Sequence, residues 1–228
     1  MELEEKDRDL CRIILKKDHL EKTVGENTWK VFQMIRKQAE ILFADMRDWQ
    51  KQEAPNSTLK LEFMDRGKLE FNLKFSSDML LFSMHTNVFE FSRNHEVMKT
   101  SYIKEDTERS YCGVIHIYNF LSDSIVYQRE NDLGYLIGRV FVNKEMHYFI
   151  EGKQELGLIY TNFNSSVVDE NACKNLLRAA MEYTSKFDLL TPPYDEIKEV
   201  TVANVQDEIA YKKLATGKRL GFRFQADQ

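Results

Sequence analysis

The sequence predicts an α+β fold: a long N-terminal helical arm, a largely antiparallel sheet of hairpins and meander strands, and a C-terminal amphipathic helix followed by a final strand. Three observations carry that prediction. Apolar residues recur at helical spacing between Asn27 and Gln52, and the period falls to two from Thr58 onward. The strand-like segments then follow one another without alternating βαβ units, which is the order of an α+β chain and not of a doubly wound parallel sheet. Residues 1–54 are read as the arm and 55–228 as a single α+β domain on which the arm packs.

In the arm, Phe32, Ile35, Ala39, Leu42, Met46 and Trp49 alternate steps of three and four, so they share one stripe of a helix. The stripe suits either the chain's own sheet or a second helix, being shorter than the three to four heptads that argue for a coiled coil. Upstream, the stretch from Glu2 to Lys22 is a second helical segment with Leu10, Ile13, Ile14 and Leu20 apolar, and Gly25-Glu26-Asn27 reads as a turn between the two. Ala54-Pro55-Asn56-Ser57 ends the arm.

Leu59, Leu61 and Phe63, then Leu69, Phe71, Leu73 and Phe75, alternate with polar residues around Asp65-Arg66-Gly67-Lys68, a β-hairpin with one buried face. Met79 to His85 and Val88 to Ser92 suggest a second hairpin across Thr86-Asn87, and the polar stretch from Arg93 to Ser110 reads as a long loop or a short helix. Strands resume at Cys112–Phe120, Ser124–Gln128, Tyr135–Val142, Glu145–Ile150 and Glu155–Thr161, with two-residue turns expected at Asn143-Lys144 and Gly152-Lys153. Ser166 and Asp169 have capping-box spacing ahead of a helix whose face holds Leu176, Leu177, Ala180, Tyr183 and Phe187. Thr191-Pro192-Pro193-Tyr194 stops it, and a short helix near Asn204–Leu214 and a strand Arg219–Phe224 complete the chain.

With 228 residues, 43% of them apolar, and only 9 Gly and 3 Pro, the chain has the composition of an ordered protein that needs neither metal nor disulfide to hold it together. Cys11, Cys112 and Cys173 are odd in number, far apart and without His at zinc spacing, which fits reduced thiols in the cytoplasm. The opening MELEEKDRDL is acidic and lacks an apolar core, against a secretory signal, and no apolar run is long enough to span a bilayer. The net charge of −5 disfavours broad binding to phosphate backbones. The run from Lys212 to Arg223 is basic, however, and Lys218, Arg219 and Arg223 are the candidate contacts for an acidic partner; nucleic acid is an unfavoured occupant. On a strand, Lys218, Leu220, Phe222 and Phe224 fall on one face and Arg219 and Arg223 on the other, which is also ordinary core-in, charge-out alternation.

Catalytic motifs are weak. Glu151-Gly152-Lys153 resembles the E-x-K triplet with which restriction-type nucleases hold Mg²⁺, because positions i and i+2 of a strand share a face. Its upstream carboxylate is not in place: with a turn at Asn143-Lys144, Glu151 pairs near Leu136, leaving Asp132 roughly 13 Å away. Cys112 with His116, and His147 with Glu151, are four apart, too far along a strand to share a proton or a metal. No P-loop, G-x-G-x-x-G or G-x-S-x-G occurs, and neither a catalytic residue nor a cofactor nor a metal is expected.

The reading that remains is a non-enzymatic intracellular protein-interaction or adaptor module, whose partner is another protein or a second copy of the chain. Two alternatives stand behind it: a small-molecule-binding domain that uses the many strand aromatics as a pocket lining, and a Mg²⁺-dependent nuclease-like enzyme.

Overall fold

The computed structural model describes residues 4–129, 132–153, 156, 162–189, 194–197, 199, 202 and 222–224. Its first element is a single helix, α1 (Glu5–Glu53), with no break at Gly25-Glu26-Asn27. A helical Gly costs about 1 kcal/mol relative to Ala. Burial outweighs that here, because Val24, Asn27 and Thr28 lie in the interior and Asn27 Nδ2 donates to the carbonyls of Asn143 (3.3 Å) and Lys144 (2.8 Å).

Six strands follow in sequential antiparallel order: β1 (Leu61–Asp65), β2 (Glu70–Phe75), β3 (Asp78–Glu90), β4 (Tyr111–Leu121), β5 (Tyr135–Asn143) and β6 (Tyr148–Gly152). The first hairpin is as expected, its turn holding Gly67 at φ +109°. The second is not a hairpin. Met79 to Glu90 is one strand against β4, and Thr86-Asn87 form a bulge between Met84 and Val88, where Asn87 N–H donates to His85 Nδ1 at 3.0 Å. A bulge absorbs the turn-like residues while the apolar residues on both sides keep their faces.

Between Phe91 and Tyr111 the chain forms two 3₁₀ turns and a short helix, α2 (Ser101–Glu105). Ser124–Gln128 is no strand: Ser122–Val126 is a helical turn, α3, whose Ser124 Oγ donates to Asp132 Oδ2 at 2.6 Å. That local hydrogen bond and the cap from Tyr127 N–H to Asp123 O override the β-branched Ile125-Val126. The β5–β6 connection is wider than a two-residue turn. Met146 adopts φ +61° and Asn143 N–H donates to His147 O, so Glu151 pairs with Arg139 and not near Leu136. β6 ends at Gly152, and of the strand expected at Glu155–Thr161 only Leu156 is described.

The C-terminal amphipathic helix α4 (Glu170–Ser185) starts one residue after Asp169, whose Oδ1 accepts from Ala172 N–H at 2.7 Å. Asp169, not Ser166, is therefore the cap, as its short carboxylate and the positive helix end favour. The helix stops before Phe187, which opens β7 (Phe187–Leu189), paired antiparallel with β8 (Phe222–Phe224); between them α5 (Tyr194–Ile197) is a single turn. The Pro192-Pro193 stop and the helix near Asn204–Leu214 lie outside the described residues.

α1 and α4 cover one face of the six-stranded sheet, where Phe32, Ile35, Ala39 and Phe43 meet Phe71, Leu73, Phe82, Ile115, Ile117, Leu177 and Tyr183 in one apolar cluster. Phe71 and Phe82 stack across β2 and β3 at 4.7 Å. On the opposite face the 91–110 connection covers one end only, with Phe91, Val97, Tyr102 and Ile103 packed on Val114, Phe141 and Phe163. A polar clasp fastens that connection to the β5–β6 turn and to α1: Lys144 Nζ bridges Asp106 (2.7 Å) and Glu108 (2.8 Å), Lys16 reaches Glu108 (2.7 Å), and Glu145 accepts from Tyr102 Oη (2.7 Å) and Arg109 Nε (3.0 Å).

Candidate functional site

Three surfaces of the described residues carry unspent chemistry. The first is the uncovered end of the sheet's outer face. Register aligns Glu70 with Ser83, Ser83 with His116, His116 with Arg139 and Arg139 with Glu151, so five strands contribute one polar row across the sheet. Ser83 Oγ donates to Glu70 (3.3 Å), Arg139 Nε donates to Glu151 (2.7 Å), and the Arg139 guanidinium lies over the Phe141 ring. Burial first, then the positive field of Arg139 and a smaller contribution from the neighbouring His85, lower the pKa of His116 from its ordinary value and so disfavour its charged form. Next to the row a groove of ≈320 Å³ is walled by Phe89, Phe91, Val114 and Phe141. His95 also lines it; its Nδ1 accepts from Val97 N–H, so in the neutral ring Nε2 carries the proton as a donor.

The second surface is the beginning of α1. Residues 4–19 are exposed throughout, yet they hold Leu10 (55% exposed), Ile13 (67%), Ile14 (56%) and Leu15 (67%). Leu10, Ile13 and Lys17 lead at steps of three and four into the buried line Leu20, Val24, Asn27 and Val31. The face that packs on the sheet from Leu20 onward is thus bare before it. Charge is segregated along the same stretch: residues 4–9 carry four acids and two bases (2 − 4 = −2), whereas residues 12–17 carry Arg12, Lys16 and Lys17 and no acid (+3).

The third surface lies at the other end of α1, where Met46, Trp49 and Leu59 line a cleft beside β1. The periodic stripe from Phe32 to Trp49 is therefore divided. Phe32, Ile35 and Ala39 are buried, Leu42 and Met46 are half-buried, and Trp49 is 64% exposed, its place inward taken by Phe43.

The residues singled out from sequence fall as follows. Lys218 and Arg219 lie outside the described residues, and Arg223 sits in β8 opposite Asp188. Glu151 is held by Arg139, Lys153 N–H donates to Ile137 O beyond the end of β6, and Asp132 belongs to the α3 turn. Among the described residues no group of three His, Cys, Asp or Glu could hold a metal ion. Cys112 and Cys173 are buried free thiols whose pKa burial pushes up, and Cys11 is an exposed one. No described helix is long and apolar enough to cross a membrane. The polar row was invisible in the sequence because its successive members are 12 to 33 residues apart along the chain, joined only by register. No protein-family model matches the chain, nor does any curated protein or solved structure.

Proposed function

We propose that the protein is a non-enzymatic intracellular interaction module, and that the first partner of its arm is a second copy of the chain. The observation that carries this reading is the bare apolar line Leu10, Ile13, Ile14 on a helical overhang of residues 4–19. An isolated helix of that length is marginal in water, and four large apolar side chains standing free on it call for a partner.

Charge selects the partner. In an antiparallel pair with its two-fold axis near Arg12, Leu10 of one arm faces Ile14 of the other and Asp7 faces Lys17, so the acidic start of each arm lies along the basic stretch of its mate. The pairs that Arg12 and Lys17 make within one arm, with Asp9 and Glu21, are exposed, weak and free to exchange, while Lys16 stays with Glu108 in the clasp. The exposed thiol of Cys11 and the unpaired Cys112 and Cys173 support a reducing compartment.

Light scattering at tens of micromolar tests the reading. The wild type is expected at the mass of two chains and Leu10→Glu with Ile14→Glu at that of one. Asp7→Lys should weaken the dimer and adding Lys17→Glu should restore it. A strict monomer for the wild type would refute it.

A second reading rests on the outer-face groove, whose volume of ≈320 Å³ is at the lower end of small-ligand sites. Phe89, Phe91 and Phe141 offer ring faces there, and Arg139 and His95 offer donors. Amide shifts confined to β3, β4 and β5 in a fragment screen would support it; a screen with no such shifts would remove it.

A further inference from the structure

β1 pairs only with β2 among the described elements, so its other side is a sheet edge. Arg66 N–H donates to Glu70 O at 3.2 Å, which places the even-numbered positions of this hairpin in hydrogen-bonded register. Leu61, Phe63 and Asp65 therefore turn their backbone groups outward. The helix confirms the direction and occupies part of the edge: Arg47 Nη1 donates to Leu61 O (3.3 Å) and Gln50 Nε2 to Leu59 O (2.8 Å). The amide and carbonyl of Phe63 and the amide of Asp65 have no protein partner among the described residues.

Alongside runs the cleft between the last turns of α1 and the chain entering β1. One half, ≈370 Å³, is apolar, lined by Met46, Trp49 and Leu59, with Asp45 at its rim. The other, ≈320 Å³, shares Gln50 and Leu59 with it and carries Arg47, Lys51 and Lys60 against Glu62. Lys51 is paired with Asp48 and Glu62 with Lys74. Arg47 and Lys60 have no ion-pair partner among the described residues, so the cleft joins an apolar pocket, two cations outside any ion pair and a free strand edge.

We infer that this cleft receives the C-terminal end of an extended peptide that adds to β1 as a seventh strand. The peptide runs antiparallel to β1, bonding to Phe63 and Asp65, with its last, apolar side chain against Met46 and Trp49 and its terminal carboxylate between Arg47 and Lys60. Strand addition of this kind takes affinity from the ladder and specificity from the pocket. A small apolar acid fits the pocket and the cations but leaves the edge groups of Phe63 and Asp65 unused, which favours the peptide.

The test uses the full chain and a fluorescein-labelled peptide Thr-Val-Thr-Val-Thr-Leu with a free carboxylate, read by anisotropy and, with unlabelled peptide, by Trp49 fluorescence. Saturable binding is expected, at least tenfold weaker for the C-terminal amide, for a peptide N-methylated at alternate residues, and for the exposed variant Lys60→Glu. N-acetyl-leucine is expected to bind at least tenfold more weakly than the peptide. Equal binding by the amide or by Lys60→Glu would overturn the carboxylate site, equal binding by the methylated peptide or by N-acetyl-leucine would overturn strand addition, and absence of binding at millimolar peptide would overturn both. None of these outcomes depends on the oligomeric state of the arm.

Discussion

Thr28 of α1 stands directly over Gly113 of β4: a Cβ added at position 113 would lie 2.8 Å from Thr28 Cβ and 2.9 Å from its Cγ2. Both residues are fully interior, and Thr28 Oγ1 is tied back to Val24 O at 2.8 Å, so the helix cannot yield by turning one side chain. This contact sets how closely α1 approaches the middle of the sheet.

Gly113→Ala is accordingly expected to destabilise by about 2–3 kcal/mol through overpacking. Thr28→Ala removes two of the three atoms in conflict, and in the Gly113→Ala background it should recover part of the loss. Urea midpoints of the four proteins in a double-mutant cycle check this; additive effects would contradict the contact.

Phe43 and Trp49 lie on the same helix with opposite fates. Phe43→Ala should cost about 3–5 kcal/mol, because it empties a filled interior position against Phe75. Trp49→Ala should stay within about 0.5 kcal/mol. Thermal unfolding of both variants gives the comparison.

The clasp is pH-sensitive in a direction that follows from its partners. The hydrogen bond from Lys144 holds Asp106 below its ordinary 3.8, and those from Lys144 and Lys16 hold Glu108 below 4.5. Their stabilisation is present above about pH 4.5 and is lost as the pH falls through the depressed values. Lys144→Met should lower Tm at neutral pH by a few degrees, and the gap to wild type should close on acidification; a gap independent of pH would show that the clasp contributes nothing.

His116 works in the same direction nearer to neutrality. Its pKa is depressed below 6.5 mainly by burial, so protonation favours the unfolded chain. Stability is full above 6.5 and falls as the pH drops from there through the folded value. His116→Gln should flatten the stability profile between neutral pH and about pH 5, as measured by denaturant midpoints across that range.

If the overhang has no stabilising role within one chain, Leu10→Glu with Ile14→Glu changes Tm by less than about 2 °C when measured at a concentration low enough for monomer. A larger loss would mean that these residues pack on their own fold.

Much of this fold was legible in the sequence because its signals are local. Period-two alternation at Leu61–Phe75 and helical spacing at Leu176–Tyr183 each bury one face. The spacing of the Phe32–Trp49 stripe marks a helix but not how far along it one side stays inward. A straight helix drifts by ∼20° per heptad against a repeat of 3.5, so by the last turns Phe43 has replaced Leu42 and Met46 at the core and Trp49 faces water. Gly25 and Thr86-Asn87 misled for another reason: their punctuation is a small local preference, overridden when Asn27 bonds to the β5–β6 turn and when β4 accommodates a bulge.

The sequence by itself determined the helical arm, the C-terminal amphipathic helix, most strands and the antiparallel order, because each follows from spacing along the chain. Only the tertiary structure decided what the surfaces are. It placed Ser83, His116 and Arg139 side by side, left Leu10 to Leu15 beyond the sheet, and opened a cleft between Trp49 and Leu59. Those relationships depend on strand register and on where a helix runs out of sheet, and both are set by contacts between residues far apart in the chain.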